Sequence, residues 1–230
     1  MKEFISVSSF FGIALSLIAY VVGMKLQNRF KKGIFNPLLI SIILVISALL
    51  IFKVDYGSYM VSAKYLSYLL TPTTICLAVP LYRRLTLLKH NFWAIMGGIS
   101  SGVVTSMGSV YLLSLAFGLD HSMYVTLLPK SITTAIGMGI SEEFGGIVTI
   151  TVAVIILTGV LGNIIAQSVC RVCGITDAVA KGIAIGTSCH AIGTARAIEM
   201  GETEGAMSSL SIAVAGLITV AAASIFVNLI

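Results

Sequence analysis

Charge is what this 230-residue sequence has least of. Asp, Glu, Lys and Arg make up only 10% of it, while 57% is hydrophobic and mean hydropathy is +1.05. A soluble domain carries roughly 25% charged residues, so a soluble globular protein is excluded. The four cysteines supply no metal centre: Cys170-Arg-Val-Cys173 is a lone CxxC, short of the four ligands a zinc site needs, and Cys76 and Cys189 stand apart from it. No HExxH, P-loop or dinucleotide fingerprint occurs. Gly186-Thr-Ser188-Cys-His190 has the start of a nucleophile elbow, but His190 stands where the last glycine belongs and no strand precedes it. Neither an enzyme nor a cofactor is expected. The excess of five positive charges sits in short loops, which speaks for membrane topology rather than for nucleic acid.

What the chain does have is long apolar runs. Residues 4–24, 33–52, 65–82, 91–119, 144–170 and 205–230 contain no Asp, Glu, Lys or Arg, and most approach the ~20 residues that cross a bilayer. Two more stretches, about 121–141 and 178–200, are apolar yet interrupted by charges and glycines. The expected fold is all-α: a polytopic membrane helix bundle with broken or re-entrant helices and internal repeats, in one membrane domain over residues 1–230. The loops at 25–36 and 83–90 hold Lys25, Arg29, Lys31, Lys32, Arg83, Arg84 and Lys89. The positive-inside rule makes them cytoplasmic in a cell membrane and puts the N-terminus outside. Gly98, Gly102 and Ser106 recur every four residues, a small-residue stripe that lets another helix come close. That helix belongs either to this chain or to a second copy in a homo-oligomer.

The two interrupted stretches echo each other. TAIGMGISEEFGG, from Thr134, can be laid beside TARAIEMGETEGA, from Thr194, and Thr74 lies a further 60 residues upstream. Repeats whose broken helices meet at mid-membrane are common in transporters, and the spacing leaves parallel and inverted arrangements both open.

Polar residues concentrate at the breaks. Pro129 stops a helix from running through, and Ser131, Thr133 and Thr134 are placed to cap the one that resumes. A helix start with Lys130 beside it suits an anion; the plainer alternative is an interfacial loop with Lys130 reaching the headgroups. In the second stretch Thr187, Ser188 and Thr194 offer hydroxyls, and Arg196 a fork that fits a carboxylate. His190 can carry a proton near neutral pH. Glu199 stands three residues beyond Arg196, close enough to pair with it instead. The candidate substrate-binding residues are therefore Lys130, Ser131, Thr133, Thr134, Thr187, Ser188, Thr194 and Arg196. The candidates for proton or ion coupling are His190, Glu199 and Glu204.

LLPKSITT at 127–134, GGI at 145–147, TPTTICLAVPLY at 71–82 and KGIAIGTSCHAIGTARAIEMGETEGAMSSL at 181–210 resemble the LrgB/CidB family of bacterial membrane proteins. Cys189 is one departure, where a small residue is expected. The family is similar to the C-terminal half of the plastid glycolate/glycerate transporter. The resemblance implies two functions: secondary transport of a small monocarboxylate such as pyruvate or glycolate/glycerate with an LrgA/CidA-like partner, or antiholin-like control of lysis and murein hydrolase release. An Arg/His/Glu/Thr cluster at membrane depth favours transport.

Overall fold

A computed structural model describes residues 10–30, 37–69 and 85–230, together with Pro72 and Tyr82. The described residues are helical and contain no strand. Four helices are long and apolar enough to cross a membrane, and a shorter apolar helix accompanies them. This is the all-α, polytopic bundle the apolar runs predict. It divides into two compact units, residues 1–76 and 77–230.

In the first unit, α1 (Phe11–Phe30) packs with α2 (Pro37–Phe52) and α3 (Tyr56–Ser67). The α1 helix runs on past the expected end of its span. Lys25 and Arg29 therefore ride on it rather than in a loop, and Arg29 in the last turn complements the negative end of the helix. Ser62 of α3 accepts a hydrogen bond from the Gly12 amide at 2.7 Å, and Ser16 meets Tyr59 at 2.8 Å. Asp55 starts α3 by accepting from the Gly57 amide. The span read at 65–82 and the echo at Thr74 fall mostly outside the described residues.

The second unit carries the interrupted stretches. A short helix α4 (Leu85–His90) leads into α5 (Phe92–Phe117), a full span. Exposed Phe92 and Trp93 mark one end of α5, where aromatics favour a membrane interface. Gly118, with φ +62°, ends it in a left-handed turn that lets the Gly118 and Leu119 amides bond the Leu115 and Ser114 carbonyls. Asp120 then caps α6 (His121–Leu127). The chain breaks at Leu128–Thr133 and resumes as α7 (Thr134–Glu143). Ser122 donates to the Gly145 carbonyl and Thr126 accepts from the Ile147 amide, so α7 returns beside α6. Residues 121–143 are thus a re-entrant hairpin with both ends at the C-terminal end of α5.

Span α8 (Val148–Val172) crosses next, and Asp177 caps α9 (Ala178–Met200). The helical path of α9 is interrupted at His190, where φ is +43° and ψ −143°. Its first arm runs parallel to α10 (Glu202–Phe226): Cβ atoms added at Gly182 and Gly186 would meet Glu204 and Met207, then Ser208 and Ser211. Its second arm runs back, with Thr194 bonded to Ser208 at 2.7 Å and Ile198 against Gly205. Gly193 accordingly faces Ile185 across the turn. Residues 178–200 form a second re-entrant hairpin, entering from the N-terminal end of α5. Each hairpin is followed by a span, and the two hairpin-and-span units run in opposite senses. Between the two arrangements the sequence left open, the described residues form the inverted one.

Candidate functional site

The breaks of both hairpins are found along the middle of α5. Gly102 faces Thr187, just before the second break, with a Cβ added at Gly102 reaching 2.6 Å from Thr187 Cγ2. One turn further on, Ser106 donates to Ser131 of the first break at 2.9 Å. Gly102 lies ten residues from Phe92 and Ser106 eleven from Phe117, about 15 Å from either end at ~1.5 Å per residue. The small-residue stripe therefore serves packing within the chain: Ile183 sits over Gly98 and Thr187 over Gly102.

Between α5 and the first arm of α9 lies a cavity of about 900 Å³. Asn91 and Asp177 stand at one end, and Ser106, Lys130, Ser131 and Thr187 along its depth. Lys130 Nζ donates to Ser131 Oγ at 2.9 Å and to Ser106 Oγ at 3.3 Å. An ammonium has three hydrogens, and the described residues give it these two acceptors. No described carboxylate forms an ion pair with Lys130, since the pair they contain is Arg196–Glu199. Ser131, itself buried, accepts from Lys130 and from Ser106, and no described acceptor takes its own hydrogen. Thr187 is 5% exposed, and its Oγ1 has no partner among the described residues. An unmet buried hydroxyl costs about 1–3 kcal/mol. At mid-depth Lys130, Ser131 and Thr187 thus present hydrogens that no described acceptor takes, which suits an anion. The rest of the wall mixes apolar and small residues, including Ile95 and Ile183, with the hydroxyls of Ser101, Thr105, Ser109 and Ser188.

Of the residues singled out in sequence, Lys130, Ser131, Thr187 and Ser188 line this cavity. Ser188 is satisfied locally by the Ala184 carbonyl. Thr133 and Thr134 begin α7 away from the cavity wall, and Thr133 makes no side-chain cap. The expected cap from Ser131 is also missing, because that hydroxyl is engaged with Lys130 and Ser106. Thr194 is fully buried, bonded to the His190 carbonyl and to Ser208. Arg196 does not reach the cavity wall. It donates to Glu199 at 2.7 Å and to Gln167 of α8, so the plain pairing is what forms. Glu204 lies in the first turn of α10, where a carboxylate offsets the positive helix end. The His190 ring donates to the Ile155 carbonyl of α8 at 2.9 Å, which places the proton on Nε2.

The stripe on α5 reads in sequence as packing alone, yet α5 forms one wall of the site. Ser106, Ser101, Thr105 and Ser109 all line the cavity. Their near-helical spacing, interleaved with the glycines, was a readable signal of a polar face on an otherwise apolar span.

The profile of the LrgB-like family matches residues 16–229. The chain belongs to that family. It is 37% identical over 226 residues, 98% of both chains, to a protein of Bacillus subtilis (strain 168) named antiholin-like protein LrgB. It is also 37% identical over 207 residues, 90% of both chains, to one of Staphylococcus aureus (strain Mu50) named holin-like protein CidB. No solved structure matches it. The motif at 127–134 falls on the break of the first hairpin and that at 181–210 on the second hairpin and the start of α10, and the family is that of membrane proteins with holin-like names rather than of known enzymes.

Proposed function

We propose that this multi-pass membrane protein takes a small monocarboxylate, of the kind of pyruvate or glycolate, into its mid-span cavity and moves it across the bilayer as a secondary transporter. One observation carries the reading: Lys130 lies at mid-span on a re-entrant break, its charge answered by hydroxyls alone. An unpaired charge at that depth costs several kcal/mol, and an anion removes the cost. Ser131 and Thr187 add free donors. Broken helices meeting at the midplane of an inverted pair are the arrangement in which transporters bind substrate. Of the coupling candidates, His190 is the one placed at a hairpin apex, two residues from Ser188 on the cavity wall. The basic segments at 25–36 and 83–90 favour a cytoplasmic placement in the cell membrane, with the N-terminus outside. A small LrgA/CidA-like membrane protein and a second copy of the chain remain proposed partners.

The relatives' names support a second reading, antiholin-like control of lysis, and support it more directly than they support transport. Uptake of labelled pyruvate and glycolate into proteoliposomes, with and without an LrgA/CidA-like protein, separates the two. Saturable uptake that Lys130→Gln abolishes supports transport. Folded protein that takes up neither acid, yet changes murein hydrolase release when deleted from cells, favours lysis control.

A further inference from the structure

We infer that Ser106 of α5 is a positioning residue for Lys130, holding the ammonium so that its remaining hydrogen faces the cavity. A lysine side chain has a flexible four-carbon stem, and nothing in its own backbone fixes where the charge goes. Here two oxygens from different elements fix it: Ser131, its neighbour on the hairpin, and Ser106, on the adjoining α5. Ser106 in turn spends its single hydrogen on Ser131 at 2.9 Å. The three groups close a triangle in which each hydroxyl oxygen receives an N–H and one O–H joins the two. This leaves one ammonium hydrogen and the Ser131 hydrogen without described acceptors. The unpartnered Thr187 hydroxyl lines the same cavity, one turn of α5 away at Gly102.

The Ser131 bond alone does not do this. Ser131 is adjacent to Lys130 in sequence and moves with it, so it cannot set the ammonium against α5 or against α9. Ser106 is the contact that refers the charge to a span outside the hairpin. A serine fits for a second reason: its own backbone carbonyl already accepts from Ser109 at 2.7 Å, so the side chain carries the contact to the hairpin. Without it the lysine keeps its charge and its place in sequence, but samples more orientations, and a ligand must pay for ordering it. The expected signature is weaker binding at an unchanged maximal rate.

Two measurements test this, and the first does not depend on the carboxylate reading. Threonine and valine are isosteric and differ by the hydroxyl. In purified full-length protein, acetylation of Lys130 by acetic anhydride, followed by peptide mass spectrometry, should run several-fold faster in Ser106→Val than in wild type, and at the wild-type rate in Ser106→Thr. Equal rates in Val and Thr variants overturn the positioning role. The second measurement rests on the proposed transport. In proteoliposomes, Ser106→Val should raise the half-saturation concentration for pyruvate or glycolate about tenfold at constant maximal rate, with Ser106→Thr near wild type. A fall in maximal rate instead, or identical behaviour of Thr and Val, sinks the inference. If wild-type protein takes up neither acid while the acetylation pattern holds, the carboxylate reading fails and the positioning of Lys130 stands.

Discussion

The two hairpins solve the same problem, reversing a chain at membrane depth, by opposite means. The first turns over six residues, Leu128–Thr133, around Pro129, with no positive φ outside glycine, and projects a cation and a hydroxyl into the cavity. The second turns at a single residue, His190, whose φ of +43° is one that side chains other than glycine rarely adopt. Its apex is sunk into α8, where Gly159 and Gly162 leave room for the His190 ring and the Cys189 thiol. The polar groups of its returning arm are spent on α8 and α10. A roomy turn has polar groups to spare for a ligand. A tight turn uses them to stay folded. The chemistry of this site should therefore lie mainly with the first hairpin and its integrity with the second.

Substitutions at four positions sharpen or break that division. The largest effect should come from Lys130→Met. Each hydrogen bond to a charged group is worth about 1.5–3 kcal/mol, so losing the charge and its free donor should raise half-saturation about ten- to a hundredfold or more in protein that still melts cooperatively. Near-normal uptake by that variant would move the binding chemistry elsewhere. Gly162→Val comes next. Any Cβ there overlaps Cys189 Sγ, and overpacking costs about 1–3 kcal/mol or more. Expression and thermal stability in detergent should fall, and a normally stable variant would show that the apex is not wedged against α8.

Third is a ranking at His190. Alanine loses the bond to the Ile155 carbonyl and keeps the strained backbone, whereas glycine loses the same bond but adopts φ +43° freely. Strain of this kind costs about 1–3 kcal/mol. His190→Gly should melt above His190→Ala, the reverse of the usual order inside helices; the usual order would mean the apex carries no strain. The smallest effect belongs to Arg196→Gln. The Arg196–Glu199 pair is partly exposed, at 31% and 58%, and such pairs contribute about 0–1 kcal/mol. Half-saturation should not move. A tenfold rise would return Arg196 to the binding site.

Much of this was readable from residues alone, for identifiable reasons. The spans were legible because a bilayer imposes length and apolarity on each one separately. The breaks were legible because Pro129 and the glycines around His190 are local signals. Which polar residue faces which partner was not, because that depends on how two hairpins distant in sequence meet on a third element. Arg196 and Lys130 both look fit for a carboxylate in sequence; Glu199 three residues on already offered Arg196 a partner, and packing settles that pairing while giving Lys130 two hydroxyls. Ser106 went unrecognised because a serine in a small-residue stripe reads as spacing until something polar is found opposite it. His190 is the converse: its chemistry suggests a proton carrier, and only the structure shows that its backbone and the Ile155 carbonyl it holds also fasten the hairpin to α8.

The pairing of the second hairpin with α10 also bears on how the chain is made. The first arm of α9 lays Gly182 and Gly186 against Glu204 and Ser208, and the second fixes Thr194 to Ser208. Every one of those partners is translated after the hairpin itself. While the ribosome is still within the hairpin, α5 and α8 are in place but both arms lack the α10 face they pack on. The first hairpin is in the same position with respect to Thr151 of α8. Each re-entrant segment therefore completes its packing only when the following span is delivered. A nascent chain arrested before Glu202 should carry its second hairpin still open to proteases, and release of some twenty-five further residues should close it.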